Sequence, residues 1–257
     1  MPNIQKFGSK NAILFDFDNT LLFLDEEQFI NRYFSLIAKR FIDKMSPSIF
    51  IDYMKRATLA MTMGDDKNQN NIEKFLLKFE ILSGLDQEYI LNKFKEFYTT
   101  EFPQLRSLCK THPYAKKCLQ KAIDKDYKVI IATNPLFPEP ASDARLNWAG
   151  LLDLKEKITL ITTGEIMHYT KPDIKYYHEI LEIINEKPEN CVMIGNDYLN
   201  DGIASSIGID VYLTTDFKDR KIETEPHFLD KQSQKLSTNK NIKIKFTGTL
   251  EYLYNNL

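Results

Sequence analysis

Cysteine is scarce in this chain of 257 residues, and the three it has, Cys109, Cys118 and Cys191, form no CxxC and cannot all pair. That count argues against a disulfide framework and suits a reducing compartment. An excess of one charge is missing as well: the formal net charge is −2, which gives no general pull toward nucleic acid or an anionic membrane. The local exception is the segment 218–245, with eight Lys/Arg against four Asp/Glu, read as a solvated surface. Long apolar runs are absent too, since no stretch approaches about 18 residues. The opening MPNIQKFGSK has no apolar core of signal-peptide length. The expectation is a cytoplasmic protein with no membrane or nucleic-acid partner.

What is present is ordinary for a soluble globular chain, with 43% hydrophobic and 27% charged residues, enough to bury a full core. Two textures alternate, with no internal repeat. Residues 26–108 carry helical stripes and no convincing strand: Phe29, Tyr33, Ile37 and Phe41, then Phe75, Phe79 and Leu82, then Ile90, Phe94 and Phe97. Spacings of three and four place each set on one helical face. Pro47 and the polar tract 64–71 break the helices.

The remainder alternates strand and helix. Strands are predicted at 12–17, 127–133, 158–162, 191–195 and 209–213, and helices at 115–125, 143–149, 173–185, 199–207 and 250–254. Short apolar runs separated by helices predict a mainly parallel, doubly wound Rossmann-like α/β sheet covered on both faces, with the all-helical segment inserted after the first strand.

In an open parallel sheet, ligands bind outside the carboxyl ends of the strands. Asp16 and Asp18 follow the first predicted strand, Thr133 and Asn134 the second, and Asn196, Asp197 and Asp201 the fourth, while the third leads to Lys171. Buried carboxylates need a partner. Asp16, Asp18 and an acid from the fourth strand end supply clustered oxygen that suits Mg²⁺, which is held by one or two carboxylates plus phosphate and water. A hydroxyl and a lysine opposite would serve phosphate oxygens, and phosphoryl transfer asks chiefly for such positioning and charge neutralisation.

Asp16-Phe17-Asp18-Asn19-Thr20, Thr133-Asn134, Lys171-Pro172 and Gly195-Asn196-Asp197 through Asp201 resemble the four ordered motifs of the haloacid dehalogenase superfamily. The resemblance implies a core of residues 1–24 and 110–257 with a helical cap at 25–109. It also implies Asp16 as nucleophile, forming an aspartyl phosphate, and Asp18 as general acid and then general base. Thr133, Lys171 and the backbone near Phe17 and Asn134 would hold the phosphoryl oxygens. Mg²⁺ would sit on the Asp16 carboxylate, the Asp18 carbonyl and an acid of the fourth motif. The family's dehalogenases lack an acid two residues past the nucleophile, so Asp18 favours a Mg²⁺-dependent phosphatase acting on a small phosphorylated metabolite.

Many relatives have Gly-Asp where this chain has Gly195-Asn196. Aligned on the glycine, the metal ligand is Asn196; aligned on Asp201, it is Asp197. Asp197 is preferred because a carboxylate binds Mg²⁺ better, with Asp201 orienting Lys171 or a metal-bound water. Three prolines at 135, 138 and 140 make a stiff loop, and Phe137 within it is a candidate substrate wall. The four histidines show no metal-ligand spacing, and His168 is expected only to shape its loop. Within the superfamily a phosphomutase, or a catalytically silent binding protein, stays open. A receiver module would be about half this length, without the helical insertion. The sequence does not identify the substrate or the oligomeric state.

Overall fold

The computed structural model describes residues 10–216 and 242–257. Most of the basic segment 218–245, and His227 with it, lies outside the described residues. The chain opens with β1 (Ala12–Phe15), followed by the short antiparallel pair β2 (Leu22–Leu24) and β3 (Cys109–Thr111). Then come β4 (Lys128–Ile131), β5 (Leu160–Ile161), β6 (Cys191–Gly195), β7 (Asp210–Thr214) and β8 (Phe246–Gly248). All pairs of the main sheet are parallel, in the order β5-β4-β1-β6-β7-β8. From β1 the chain builds outward through β4 and β5, then returns to the other side of β1 for β6. The carboxyl end of β1 is therefore the point where strand order reverses, the place where such sheets bind ligands.

The period of two in β1 explains its unbroken apolar run. Ile13 and Phe15 face one core, with Val129, Ile131, Val192 and Ile194 beside them. Ala12 and Leu14 face a second core, built with Tyr176, Tyr177 and Ile180. All four β1 side chains are fully buried, and each large one contributes roughly 1.5–3 kcal/mol by leaving water.

Between β2 and β3 lie four helices: α1 (Glu26–Ala38), α2 (Pro47–Met63), α3 (Asn71–Ser83) and α4 (Gln87–Thr100). Their starts are written in the sequence. Asp25, Ser46, Asn70 and Asp86 each accept from a backbone N–H of the first turn, as capping residues do. At α3, Asn70 and Glu73 cap reciprocally, and the helix ends at Gly84 with φ of 68°. Phe29, Tyr33 and Ile37 of α1 and Phe75 and Phe79 of α3 point into the first core, as their spacing predicts.

The outer helices are α5 (Ala115–Asp124), α6 (Glu139–Trp148), α7 (Ile174–Ile184) and α8 (Leu250–Asn256). Three expectations shift. Helix α6 begins at Glu139 rather than 143, because Pro140 sits in its first turn, where no N–H is needed. The helix expected at 199–207 is only a short 3-10 segment over Gly202–Ile207. The strands β2, β3 and β8 escaped prediction because each has only three residues, too few for a period to show.

The helical segment is tied to the sheet domain at the start of α3. Asn71 N–H donates to Met167 O (2.9 Å) and Ile72 N–H to Gly164 O (3.1 Å). Lys74 Nζ donates to His168 O (2.5 Å) and Gly64 O (3.1 Å). No helix of the described residues is long and apolar enough to cross a membrane.

Candidate active site

Asp16 leaves β1 with its N–H on Ile194 O (2.8 Å), so pairing to β6 carries one residue past the strand and fixes the carboxylate. Asp16 Oδ1 accepts from Lys171 Nζ (2.8 Å), and Oδ2 lies 3.1 Å from the Thr20 hydroxyl. The turn that follows depends on Asn19, which sits at φ of 57°, a left-handed conformation that asparagine tolerates. Its N–H donates to Leu22 O, and its side chain bridges Leu24 N–H and Glu26.

Lys171 is buried and donates as well to Asp201 Oδ1 (2.6 Å). Burial alone would lower the lysine, but Asp16 and Asp201 outweigh it and hold it well above its usual value. Asp201 in turn takes the N–H groups of Asn196 and Asp197 on Oδ2, both at 3.0 Å. Burial raises the Asp201 carboxyl and the Asp16 charge adds to the rise, while Lys171 counters it. Gly195 is what admits this carboxylate: a Cβ there would lie 2.1 Å from Asp201 Oδ2.

Thr133 is buried past the end of β4, its backbone carbonyl held by Thr162 Oγ1 (2.7 Å) and Tyr176 Oη (2.8 Å). Asn134 Oδ1 accepts the backbone N–H of Lys171 (3.2 Å), so its side chain joins two loops. His168 Nδ1 lies 2.5 Å from Glu179 Oε1 on α7. That contact braces the loop leading to Lys171.

Two residues of the site carried no role in the sequence reading. Thr20, fully buried, has its hydroxyl 3.1 Å from both Asp16 Oδ2 and the Asn196 side-chain oxygen; with one proton it donates to one at a time. Arg145 of α6, 2% exposed, pairs with Asp18 Oδ2 and reaches Thr133 Oγ1 at 3.5 Å. Its guanidinium is flanked by Phe17 (4.8 Å) and Phe137 (5.3 Å). The signal was legible: Arg145 falls four residues after Ala141 and next to Leu146, on the buried face of α6, where an arginine needs a partner. Burial raises the Asp18 carboxyl, with Arg145 opposing the rise.

The geometry around Asn196 favours it over Asp197 as the residue that would face a metal. Asp197 Oδ1 is occupied by the backbone N–H groups of Leu199 (2.7 Å) and Asn200 (2.6 Å), so that carboxylate closes its own turn. The terminal amide atom of Asn196 lies instead 3.1 Å from Asp16 Oδ2 and 3.0 Å from Asp18 O. An octahedral Mg²⁺ with ligands at about 2.0–2.1 Å sets adjacent oxygens about 2.9 Å apart, so the three groups fit the ion. Turned over, the Asn196 amide would donate its NH₂ to the same oxygens. Among the described residues, no three His, Cys, Asp or Glu side chains cluster as a metal site. A cation here would rest on one carboxylate, one carbonyl and one amide, which would leave positions for phosphate and water.

A parallel sheet carries a carboxylate at its reversal point, a second acid two residues on and a buried lysine opposite. The sequence profile of haloacid dehalogenase-like hydrolases matches residues 10–204, and the chain belongs to that family. Solved structures share the fold. A HAD phosphatase from Thermococcus onnurineus is 20% identical, covers 95% of this chain and 96% of its own, and has a TM-score of 0.53. The L-2-haloacid dehalogenase from Xanthobacter autotrophicus is 15% identical, with 96% and 97% covered and a TM-score of 0.51. A HAD-hydrolase from Bacillus subtilis bound to magnesium is 18% identical, with 96% and 97% covered and a TM-score of 0.50. A sequence search among curated proteins found no match.

Proposed function

We propose that the protein hydrolyses a phosphomonoester through an aspartyl phosphate on Asp16. One observation carries the choice among the family's activities: Asp18, two residues past the nucleophile, raised by burial and held by Arg145. An acid held at this position can deliver a proton to a leaving alkoxide.

Asp16 attacks phosphorus with the carboxylate oxygen that forms the new bond, and the ester P–O bond breaks. Asp18 gives its proton to the departing oxygen. Asp18, now ionised, takes a proton from water, whose oxygen attacks phosphorus; the Asp16–phosphorus bond breaks and inorganic phosphate leaves. Lys171 and Thr133 hold phosphoryl oxygens, and Lys171 also aims Asp16 through its hydrogen bond to Oδ1. The Asp16 carboxylate, Asp18 carbonyl and Asn196 amide oxygen would hold Mg²⁺, which when bound supplies positive charge for the phosphoryl group.

The test is phosphate release from a panel of sugar phosphates, nucleotides and phosphorylated acids, with Mg²⁺ and with chelator. Release is expected with Mg²⁺ and lost in Asp16→Asn. Activity that survives either Asp16→Asn or complete removal of metal overturns the mechanism.

A further inference from the structure

Beside this site lies an open-mouthed cavity of about 660 Å³ lined by α1, α2, α3, α4 and the 136–140 loop. That is the size of a small-molecule pocket, and its wall is chemically one-sided. Tyr33, Met54, Phe75, Leu76 and Tyr98 line its buried depth. The two tyrosine hydroxyls there bond to each other at 3.0 Å, which uses one of their two protons. Lys55, Lys95 and Glu165 are exposed at its edge. A sugar or a nucleobase needs several polar groups converging from the wall, since a buried hydroxyl without a partner costs affinity. This interior offers only Thr58 and the tyrosine pair, with Asn31 and Ser35 exposed beside the charged residues at the edge.

The cavity is next to the chemistry without containing it. Asp16, Asp18, Thr133 and Lys171 do not line it; Leu136 and Phe137 do. The Phe137 ring belongs to both places, since it also stands 5.3 Å from the Arg145 guanidinium that holds Asp18. Asp18 marks the side on which the ester oxygen departs, so the leaving group lies on the Asp18 side of phosphorus, toward Phe137.

We infer that the leaving group is apolar, an alkyl or aryl chain that passes Phe137 and is received by this cavity. This rests on the phosphatase reading and narrows it: simple alkyl and aryl phosphates are preferred over sugar phosphates and nucleotides. Each methylene buried on the way to the transition state raises kcat/KM about fourfold, until the cavity is filled.

The experiment is a homologous series from ethyl to octyl phosphate, with glucose 6-phosphate and AMP alongside, under saturating Mg²⁺. The wild type is expected to climb about fourfold per methylene and to leave both polar esters behind. Thr58→Trp, on α2 and away from the phosphate-handling groups, fills the cavity. It is expected to flatten the series while leaving ethyl phosphate unchanged. A flat series in the wild type, with polar esters turned over as well or better, overturns the inference and leaves the phosphatase reading intact. So does a Thr58→Trp protein that loses ethyl and octyl phosphate equally. No release from any ester overturns the reading itself and this inference with it. The wild-type series stands alone if the variant does not fold.

Discussion

Replacing Arg145 with methionine keeps a long apolar stem between Phe17 and Phe137 and removes only the guanidinium. Arg145 is 2% exposed, whereas the Asp18 side chain keeps 33% of its surface in water. Breaking a fully buried ion pair costs about 3–5 kcal/mol; with one partner part-hydrated, the expected stability loss falls to about 2–3 kcal/mol. The larger effect falls on turnover. Asp18 loses the group that fixes its carboxylate, and general acid–base catalysis is worth about 10²- to 10⁴-fold, so forfeiting part of it should lower kcat about 10- to 100-fold. Burial already raises Asp18 and Arg145 opposes that rise, so removing Arg145 raises the carboxyl further. Asp18 must be ionised to take a proton from water; the acid limb of the kcat profile should therefore move to higher pH. Arg145→Lys should restore part of kcat, because the charge returns without the planar fork. The assay is steady-state phosphate release across pH for the three proteins. An unchanged kcat with an unmoved acid limb in Arg145→Met would refute the role given to Arg145.

Asn196→Asp places a carboxylate beside Asp16 Oδ2 and Asp18 O, and should lower the half-saturating Mg²⁺ concentration about tenfold, a difference of about 1.4 kcal/mol. Asp197→Asn, whose amide oxygen can still accept from Leu199 and Asn200, should leave the Mg²⁺ requirement unchanged. The opposite pattern in a Mg²⁺ titration of activity would return the ligand role to Asp197. In the helical segment, burial raises Glu101, but the two-pronged contact with Arg40 (2.7 and 3.1 Å) and Thr100 outweighs it and lowers the carboxyl. A lowered acid stabilises the fold above its unfolded value of about 4.3 and loses that contribution as pH falls through the folded value. Denaturant midpoints of Glu101→Gln should therefore lie below wild type at neutral pH and converge on it in acid; a constant gap across that range counts against the pair.

The main sheet was legible because β1, β4, β6 and β7 are short, mostly apolar runs, and the inserted helices were legible from their apolar stripes. The site was legible where chemistry attaches to strand ends, as with Asp16, Asp18, Thr133 and Lys171. It was not legible where a choice depended on side-chain direction. Nothing in Gly195-Asn196-Asp197 tells that the carboxylate turns back onto Leu199 and Asn200 while the amide faces Asp16. For Arg145 the sequence could show that a partner was needed but not which: Asp18 is 127 positions away, a pairing that only the folded sheet brings about. The strands β2, β3 and β8 were too short to carry a pattern.

The pairing of β1 on both flanks has a consequence for anyone altering this protein. Ala12 through Phe15 are in register with Lys128–Ile131 on one side and with Cys191–Ile194 on the other. A slip of one residue would exchange the two cores and turn every side chain to the opposite face. Asp16, the next residue, inherits its aim from that lock. The sheet acts as a ruler whose graduations are hydrophobic side chains. Relocating the nucleophile would mean redesigning two cores, whereas Asn196, Phe137 and the cavity wall can be rewritten while the ruler stays still.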